Sequence, residues 1–379
     1  MIRYPHLFLV DWPFNIIPEE RYCTFMADRE QMNQDINLLI RNFSRRDNST
    51  INIMWAWYGA GKTHTLKYLA NQCLGEEATF VPIYNEFPRK TRSFLDLYTA
   101  FVEKIDIELI QDFYLEVFTS PKKDEAQKVL YHDYPDLSNA MKSLCTERED
   151  KASIAMYWLR AQNVPLKDLR YINITSRIDN AEKALKVITW LVQLFNWAQF
   201  SEHIVPARII WMIDEFQRIT GCRPSVQEEV NGCLLSAFNR CPRSFSLFLS
   251  FSGNPGNKMP FWLSRELTDR IGIEKILLLP PLSTNEAITF IKDVLKQYRP
   301  PDNKPPSSTF PFDSEAAETI VHIIDEKADI KPRTIMQACN AVLEEADMLI
   351  ESGKQKIISK GFVVKILKDR TFLDTEDEG

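Results

Sequence analysis

A short glycine loop between an apolar run and a helical run is the feature that most constrains this chain. The run from Ile51 to Trp57 has the composition of a strand, Gly59-Ala60-Gly61 follows it, and the stretch from Lys62 to Cys73 has helical spacing. Glycine permits a tight turn that points several backbone N–H groups at one anion, and the first turn of a helix adds its positive dipole end. This strand–loop–helix order predicts a phosphate-binding loop.

Each residue type in this loop has an expected role toward a nucleoside triphosphate. The Lys62 ammonium is expected to bridge the β- and γ-phosphates, and the Thr63 hydroxyl is expected to ligate Mg²⁺. Trp55 and Trp57 are interpreted as core packing rather than as base-stacking residues. The residues expected to contact phosphate are Ala56, Gly59, Ala60, Gly61, Lys62, Thr63 and His64.

An apolar run from Ile209 to Ile213 ends in two carboxylates, Asp214 and Glu215. Ligands bind at the carboxyl ends of the strands of a parallel sheet. We expect Asp214 to hold Mg²⁺ through water and Glu215 to polarise the attacking water. Adjacent strand residues point to opposite sides, so the two roles can be separate.

Continuous apolar runs alternate with helical patterns along the chain, which is typical of a parallel sheet covered on both faces. We predict an α/β P-loop NTPase fold, with a parallel sheet sandwiched by helices, a helical insertion and a C-terminal helical lid. The predicted segments are a lead-in and helix over 1–45, the P-loop domain over 46–282 with its insertion at about 104–180, the lid over 283–373, and an acidic tail over 374–379.

Composition excludes several classes of protein. The chain has seven cysteines without a C-x-x-C pair and no H-E-x-x-H motif, which argues against a zinc site, a disulfide framework or a metalloprotease. The net charge of -6 means that DNA contact requires a local basic patch, such as Arg89, Lys90 and Arg92. Without a signal-peptide core or a long apolar run, we expect a cytoplasmic protein with no membrane span.

The glycine loop and the carboxylate-tipped strand together resemble the Walker A and Walker B motifs of AAA+ ATPases. Within these, the chain is most similar to the branch shared by origin-recognition ATPases, AAA+ transposition regulators and STAND-type proteins. The segment Phe25-Met26-Ala27-Asp28-Arg29-Glu30 resembles the lead-in of that branch, which helps to form the adenine pocket, and so implies that Arg29 contacts nucleotide. The resemblance implies ATP hydrolysis with Mg²⁺ in an oligomer of like or unlike subunits.

The resemblance also implies polar residues around the γ-phosphate. Asn254 resembles sensor 1, the polar residue that ends the strand after Walker B, with Ser252 as second choice. Arg270 resembles the arginine finger, with Arg265 as the alternative. Such a cation, supplied by a neighbouring subunit, neutralises charge that develops on the γ-phosphate.

Two further positions follow from the same resemblance. Arg333, in Lys331-Pro332-Arg333, resembles sensor 2, which couples nucleotide state to lid position. Asn85, after the second strand, resembles the polar residue that restrains the catalytic glutamate.

The chain departs from this family in two ways. The segment between the two Walker motifs is longer than the family usually needs, and its Trp158-Leu159-Arg160 and Leu169-Arg170 pattern is faintly similar to ATPases of phage-defence systems such as BREX. The sequence after the lid is too short for the winged-helix domain of origin-recognition ATPases, so DNA binding of that kind is not expected.

Two functions remain open from the sequence. One is an ATPase acting on DNA, within phage defence or a mobile element. The other is a nucleotide-dependent switch that scaffolds a protein partner and turns over slowly. A P-loop kinase fits less well, because a Walker B pair and a separate lid suit hydrolysis better than transfer to a bound acceptor.

Overall fold

The computed structural model describes residues 2–15, 23–27, 30–74, 80–119, 123–124, 127–128, 134–197, 208–255, 258–272, 275–301 and 304–368. The chain forms two compact units. One comprises Met1–Ile36, Ala56–Tyr68 and Leu278–Gly379, and the other comprises Asn37–Trp55 and Leu69–Leu277. Each unit has its own apolar core. The predicted domain boundaries remain predictions.

A parallel five-stranded sheet has the strand order β2-β3-β4-β1-β5. Its strands are β1 (Thr50–Ala56), β2 (Phe80–Glu86), β3 (Arg208–Asp214), β4 (Phe245–Ser252) and β5 (Ile276–Leu279). All seven residues of β3 are buried, as are all but the first residue of β1, because their side chains are covered on both faces. The α/β P-loop fold predicted from the sequence is confirmed.

The register of the sheet brings the carboxyl ends of β2 and β3 to the same level. Glu86 at the end of β2 pairs with Asp214 at the end of β3, so both strands end at the same level. The glycine loop follows the carboxyl end of β1, and Glu215 follows that of β3. The glycine loop, Asp214 and Glu215 therefore lie at or just after the carboxyl ends of strands, where ligand-binding residues of parallel sheets occur.

Fourteen helices are described, and those from α4 to α7 lie within the segment predicted to be a helical insertion. The helices are α1 (Glu30–Arg45), α2 (Lys62–Cys73), α3 (Phe94–Val102), α4 (Ile107–Thr119), α5 (Pro135–Leu144), α6 (Glu149–Leu159), α7 (Leu166–Tyr171), α8 (Ala181–Trp197), α9 (Pro224–Arg240), α10 (Arg265–Thr268), α11 (Thr284–Gln297), α12 (Ser314–Lys327), α13 (Pro332–Glu351) and α14 (Lys360–Leu367). None of these described helices is both long and apolar enough to span a bilayer.

The first unit is built around the helices from α11 to α14. Ser283 caps α11 through a capping box with Glu286, and Asp313 caps α12 by accepting from the Ala316 N–H at 2.6 Å. The N-terminal stretch also packs into this core. Its residues Leu7 and Phe14 are buried because a 3₁₀ turn and apolar side chains fold it against the lid helices.

One buried carboxylate organises the helical region between β2 and β3. Asp136, in the first turn of α5, accepts hydrogen bonds from the backbone N–H groups of Thr175 and Ser176 at 2.9 and 3.1 Å. It also accepts from both hydroxyl groups of these residues at about 3.0 Å. Two segments far apart in sequence are thereby joined through a single side chain.

We predict that Asp136→Ala lowers the free energy of unfolding by about 3 kcal/mol, because two N–H groups and two hydroxyl groups lose their shared acceptor. Urea denaturation of both proteins measures the difference. Asp150→Ala is the matched control, since Asp150 is exposed and pairs with Arg148 at the surface. A loss no larger than that of the control would contradict the prediction.

Candidate functional site

The glycine loop adopts a conformation that requires its glycines. Gly59 and Gly61 have φ angles of +78° and +97°, in the left-handed region that L-residues rarely adopt. A Cβ atom on Gly59 would lie 3.1 Å from the Cβ of Arg333. The loop therefore has neither the backbone freedom nor the space for a side chain at this position.

Lys62 begins α2 immediately after this turn. Its side chain is 5% exposed, and its ammonium donates to the Trp57 carbonyl at 3.3 Å across the loop. The Ala60 N–H donates to the same carbonyl at 3.2 Å, which closes the turn. A largely buried lysine at a helix N-terminus supplies positive charge at the end of the helix that already favours anions.

Other predicted contacts of this loop lie in the same unit. Ala56 is buried at the end of β1, Thr63 is partly buried in the first turn of α2, and the ring of His64 lies edge-on to that of Phe25 at 6.2 Å. The lead-in segment thus contacts α2 through Phe25, and its part in an adenine pocket remains a prediction. Arg29 lies outside the described residues.

Arg333 contacts the glycine loop directly. Its backbone N–H donates to the Gly59 carbonyl at 3.3 Å, and its guanidinium lies 4.7 Å from the centre of the Tyr58 ring. Lys331 lies over the neighbouring Trp57 ring at 5.6 Å. The N-terminus of α13 and the loop are therefore joined by one hydrogen bond and two cation–π contacts. The assignment of Arg333 as sensor 2 remains a prediction that this proximity supports.

Asp214 ends β3 and is fully buried. Its carboxylate accepts from the Ser250 hydroxyl at 2.7 Å, from the Glu215 N–H at 2.9 Å and from the Tyr84 hydroxyl at 3.1 Å. Burial, and then the negative charge of Asp214, raise the pKa of Tyr84, so that this hydroxyl stays protonated and donates. A buried carboxylate is stabilised only when its oxygens are bonded in this way.

The sequence analysis did not identify Tyr84 and Ser250 as site residues. They lie on β2 and β4, the two strands that flank β3, and each contributes a hydroxyl to the same carboxylate. A hydroxyl near the end of each flanking apolar strand is the only signal for them in the sequence, and it gains meaning once the strand order is known.

Glu215 follows Asp214 with a left-handed backbone, at φ +56° and ψ +33°. Left-handed conformations are uncommon for residues other than glycine, and such strain clusters at functional sites. Its carboxylate accepts from the Gln217 amide at 2.8 Å and lies 3.8 Å from the Arg218 guanidinium. The sequence analysis did not single out either of these neighbours.

Asn85 occupies a different environment from the one that its resemblance suggests. It lies in β2, and its amide oxygen accepts from the Trp211 indole N–H at 2.7 Å. The amide nitrogen donates to the Glu86 carbonyl at 3.1 Å. Both ends of the Asn85 amide are therefore bonded to residues other than Glu215.

The two sensor 1 candidates lie at the end of β4. Ser252 is the last residue of the strand, and its N–H donates to the Gln217 side-chain oxygen at 3.0 Å. Its hydroxyl is buried and lacks a partner among the described residues, as does the Trp55 indole N–H. Asn254 is exposed two residues further on. The structure brings Ser252 closer than Asn254 to the bonds around Glu215, and the choice between them remains open.

The two arginine-finger candidates flank α10. Arg265 begins the helix and lies 3.9 Å from Asp269, with its side chain 91% exposed. Arg270 follows the helix and is also exposed. Exposure is what a residue that acts on a neighbouring subunit requires, and a trans role for either arginine is a proposal.

The residues present fit a magnesium triphosphate. Left-handed glycines and a buried lysine at a helix start suit phosphate oxygens, while a hydroxyl is an oxygen ligand that Mg²⁺ accepts. Lys62, Thr63 and the loop backbone would hold the phosphates and the ion, and the role of Asp214 toward the ion remains a prediction. A bound Mg²⁺ would neutralise charge that develops on the phosphates.

No protein-family model matches this chain, and no curated protein matches it. The ORC2 protein of Aeropyrum pernix, solved in ADPNP–ADP complexes, is similar in structure, with a TM-score of 0.54, 15% identity and coverage of 94% of this chain and 70% of that one. The ORC1 protein of the same organism, solved in complex with DNA, has a TM-score of 0.51, 11% identity and coverage of 93% and 68%.

These two similarities concern the fold. At such identities, they show that this chain shares the α/β fold of these two proteins. Membership of the AAA+ branch that the two Walker-like motifs resemble remains a prediction. The fainter similarity to phage-defence ATPases remains a hypothesis.

We predict that Gly59→Ala weakens ATP binding about tenfold or more, because alanine disfavours the left-handed φ and its Cβ meets Arg333. Titration with a fluorescent ATP analogue measures the affinity. Gly361→Ala is the matched control, since a Cβ at this position in α14 meets no atom within 4 Å. Equal affinities for the two variants would show that the loop tolerates a side chain.

Proposed function

We propose that this chain is an AAA+ ATPase that hydrolyses ATP with Mg²⁺ and uses the nucleotide state to drive or regulate assembly on a macromolecular partner. The observation that carries the proposal is the glycine loop, whose left-handed glycines lead into a helix that begins with the buried Lys62. The buried Asp214 and the strained Glu215 at the end of β3 supply the carboxylates that hydrolysis needs.

Each residue has a distinct role in this reaction. Lys62 stabilises the charge on the β- and γ-phosphates, and Glu215 polarises the water that attacks the γ-phosphorus. Three donors fix the carboxylate of Asp214, which would hold Mg²⁺ through water. Arg333 reports on the nucleotide, since its backbone is already bonded to the loop that holds the phosphates.

Contact between Arg333 and the loop also supports a link between nucleotide and lid. The Arg333 guanidinium rests on Tyr58, and a γ-phosphate would offer it a stronger, charge-assisted partner. When the guanidinium leaves the Tyr58 ring for the γ-phosphate, the start of α13 moves with it. Such a two-state contact is the physical basis for nucleotide-dependent assembly with neighbouring subunits.

DNA is the partner that we propose, in phage defence or a mobile element. Arg89, Lys90 and Arg92 are exposed in the loop that follows β2. Three cations in one exposed loop suit contacts with phosphates rather than with base edges. Loss of protection against phage in cells that carry Glu215→Gln would support the defence setting, and unchanged protection would contradict it.

We predict that the unmodified protein hydrolyses ATP and that Lys62→Ala abolishes both binding and hydrolysis. Glu215→Gln should still bind ATP but should hydrolyse it at least about a hundredfold more slowly, because the amide cannot take a proton from water. Phosphate release and equilibrium binding separate the two effects. Lys365→Ala, which removes an exposed charge from α14, is the control and should match the unmodified protein.

The same variants test the alternative of a scaffolding switch. A protein whose ATP binding changes its oligomeric mass, while Glu215→Gln leaves binding of a protein partner intact or stronger, would act as a switch with slow turnover. If Lys62→Ala binds ATP as tightly as the unmodified protein, the glycine loop is excluded as the ATP-binding site.

We predict that replacing Arg89, Lys90 and Arg92 together by alanine weakens DNA retention and reduces its salt dependence. The slope of log affinity against log salt should fall by roughly 0.9 for each phosphate that the variant no longer neutralises. Filter binding of duplex DNA at several salt concentrations measures this slope. The control replaces the exposed Lys354, Lys356 and Lys360 and removes the same charge. Equal behaviour of the two triple variants would exclude the loop as the DNA-binding segment.

A further inference from the structure

The carboxylate of Glu215 is held by the short helix that follows it. The residues Phe216–Gly221 form a 3₁₀ helix, which brings the second and third residues after Glu215 back toward its side chain. Phe216 is fully buried against Phe87, with ring centres 5.4 Å apart, and Ile219 is fully buried as well. These anchors fix the turn, so Gln217 is presented to Glu215 by a rigid element.

Gln217 connects two parts of the site through opposite ends of its amide. Its nitrogen donates to the Glu215 carboxylate at 2.8 Å, and its oxygen accepts from the Ser252 N–H at 3.0 Å. The backbone N–H of Ser252 can only donate and an ionised carboxylate can only accept. Just one orientation of the amide satisfies both partners, so the assignment of its nitrogen and oxygen follows from chemistry.

Arg218 makes its shortest contacts with residues other than Glu215. Its guanidinium donates to the Glu86 carboxylate at 2.8 Å and to the Phe87 carbonyl at 3.0 Å, while its distance to the Glu215 carboxylate is 3.8 Å. The closest bonds of Arg218 are therefore made to the end of β2. The bond from Gln217 is the shorter and more direct restraint on Glu215.

We propose that Gln217 is a positioning residue, which holds the Glu215 carboxylate in the orientation that activates water and links it to the end of β4 through Ser252. This inference rests on the proposed ATP hydrolysis. Ser252 is one of the two sensor 1 candidates, so a change at the end of β4 reaches Glu215 through one side chain. Asn85 does not supply this restraint, because its amide is bonded to Trp211 and to the Glu86 carbonyl.

Two substitutions at Gln217 test the two hydrogen bonds of its amide separately. Gln217→Glu keeps an oxygen for the Ser252 N–H but loses the donor to Glu215, and Gln217→Leu loses both bonds. In both variants, kcat for ATP hydrolysis should fall about 10- to 100-fold, because displacement of a catalytic group by about 1 Å has an effect of this size. The KM and the Kd for ATP should stay within about twofold, because Gln217 has no expected contact with the nucleotide.

Amide hydrogen exchange of the Ser252 segment distinguishes positioning from a general loss of structure. Exchange should be faster in Gln217→Leu and unchanged in Gln217→Glu, although both lose kcat. The control is Gln227→Leu, which removes a partly buried glutamine whose amide donates to the Cys222 carbonyl in the same unit. This control should keep the kcat of the unmodified protein.

The outcomes distinguish this inference from the proposed function. If the unmodified protein hydrolyses ATP and Glu215→Gln does not, then an unchanged or raised kcat in Gln217→Glu overturns the positioning role alone. A rise in KM that accounts for the whole loss would overturn it as well. If the unmodified protein does not hydrolyse ATP, the proposed function fails, and the role of Gln217 fails with it.

Discussion

A buried carboxylate at the end of β3 is the constraint on which the second unit depends. Asp214 is fully buried, and an ionised carboxylate in such a place is strongly destabilising unless its oxygens are bonded. The structure supplies hydroxyl donors from both flanking strands, Tyr84 on β2 and Ser250 on β4, and a backbone donor from Glu215. An apolar residue would pack there without this network, so Tyr84 and Ser250 owe these hydrogen bonds to the carboxyl group of Asp214.

Backbone strain occurs at the residue that follows Asp214. Glu215 has a left-handed backbone, and so have Gly59 and Gly61 in the loop of the first unit. At the glycines this conformation has little cost, whereas at Glu215 it opposes the preference of the residue. The surrounding contacts maintain it, since Phe216 is anchored by packing and Gln217 by its bond to Ser252. The left-handed residues Gly59, Gly61 and Glu215 thus each follow the carboxyl end of a strand.

Local sequence patterns predicted the elements but not the contacts between distant residues. The run Ile209–Ile213 in β3 is apolar and continuous, and those that form β1 and β4 are largely apolar. The turn before Lys62 needs glycine, so these elements are readable from neighbouring residues. The hydroxyls of Tyr84 and Ser250 and the amide of Gln217 acquire their partners only through strand order and a 3₁₀ turn. No local pattern signals either of these, and the packing of the N-terminal stretch into the lid core was likewise missed. Asn85 is the opposite case. Its resemblance suggested a contact with Glu215, but in the fold its amide is bonded to Trp211.

The proposed function requires that a triphosphate binds where β1 passes into α2. A crystal structure with Mg²⁺ and a non-hydrolysable ATP analogue tests this most directly. We expect the β- and γ-phosphates on the backbone between Gly59 and Lys62, with the Lys62 ammonium on their oxygens and Mg²⁺ on the Thr63 hydroxyl. A nucleotide bound elsewhere on the chain, or none at saturating concentration, would contradict it.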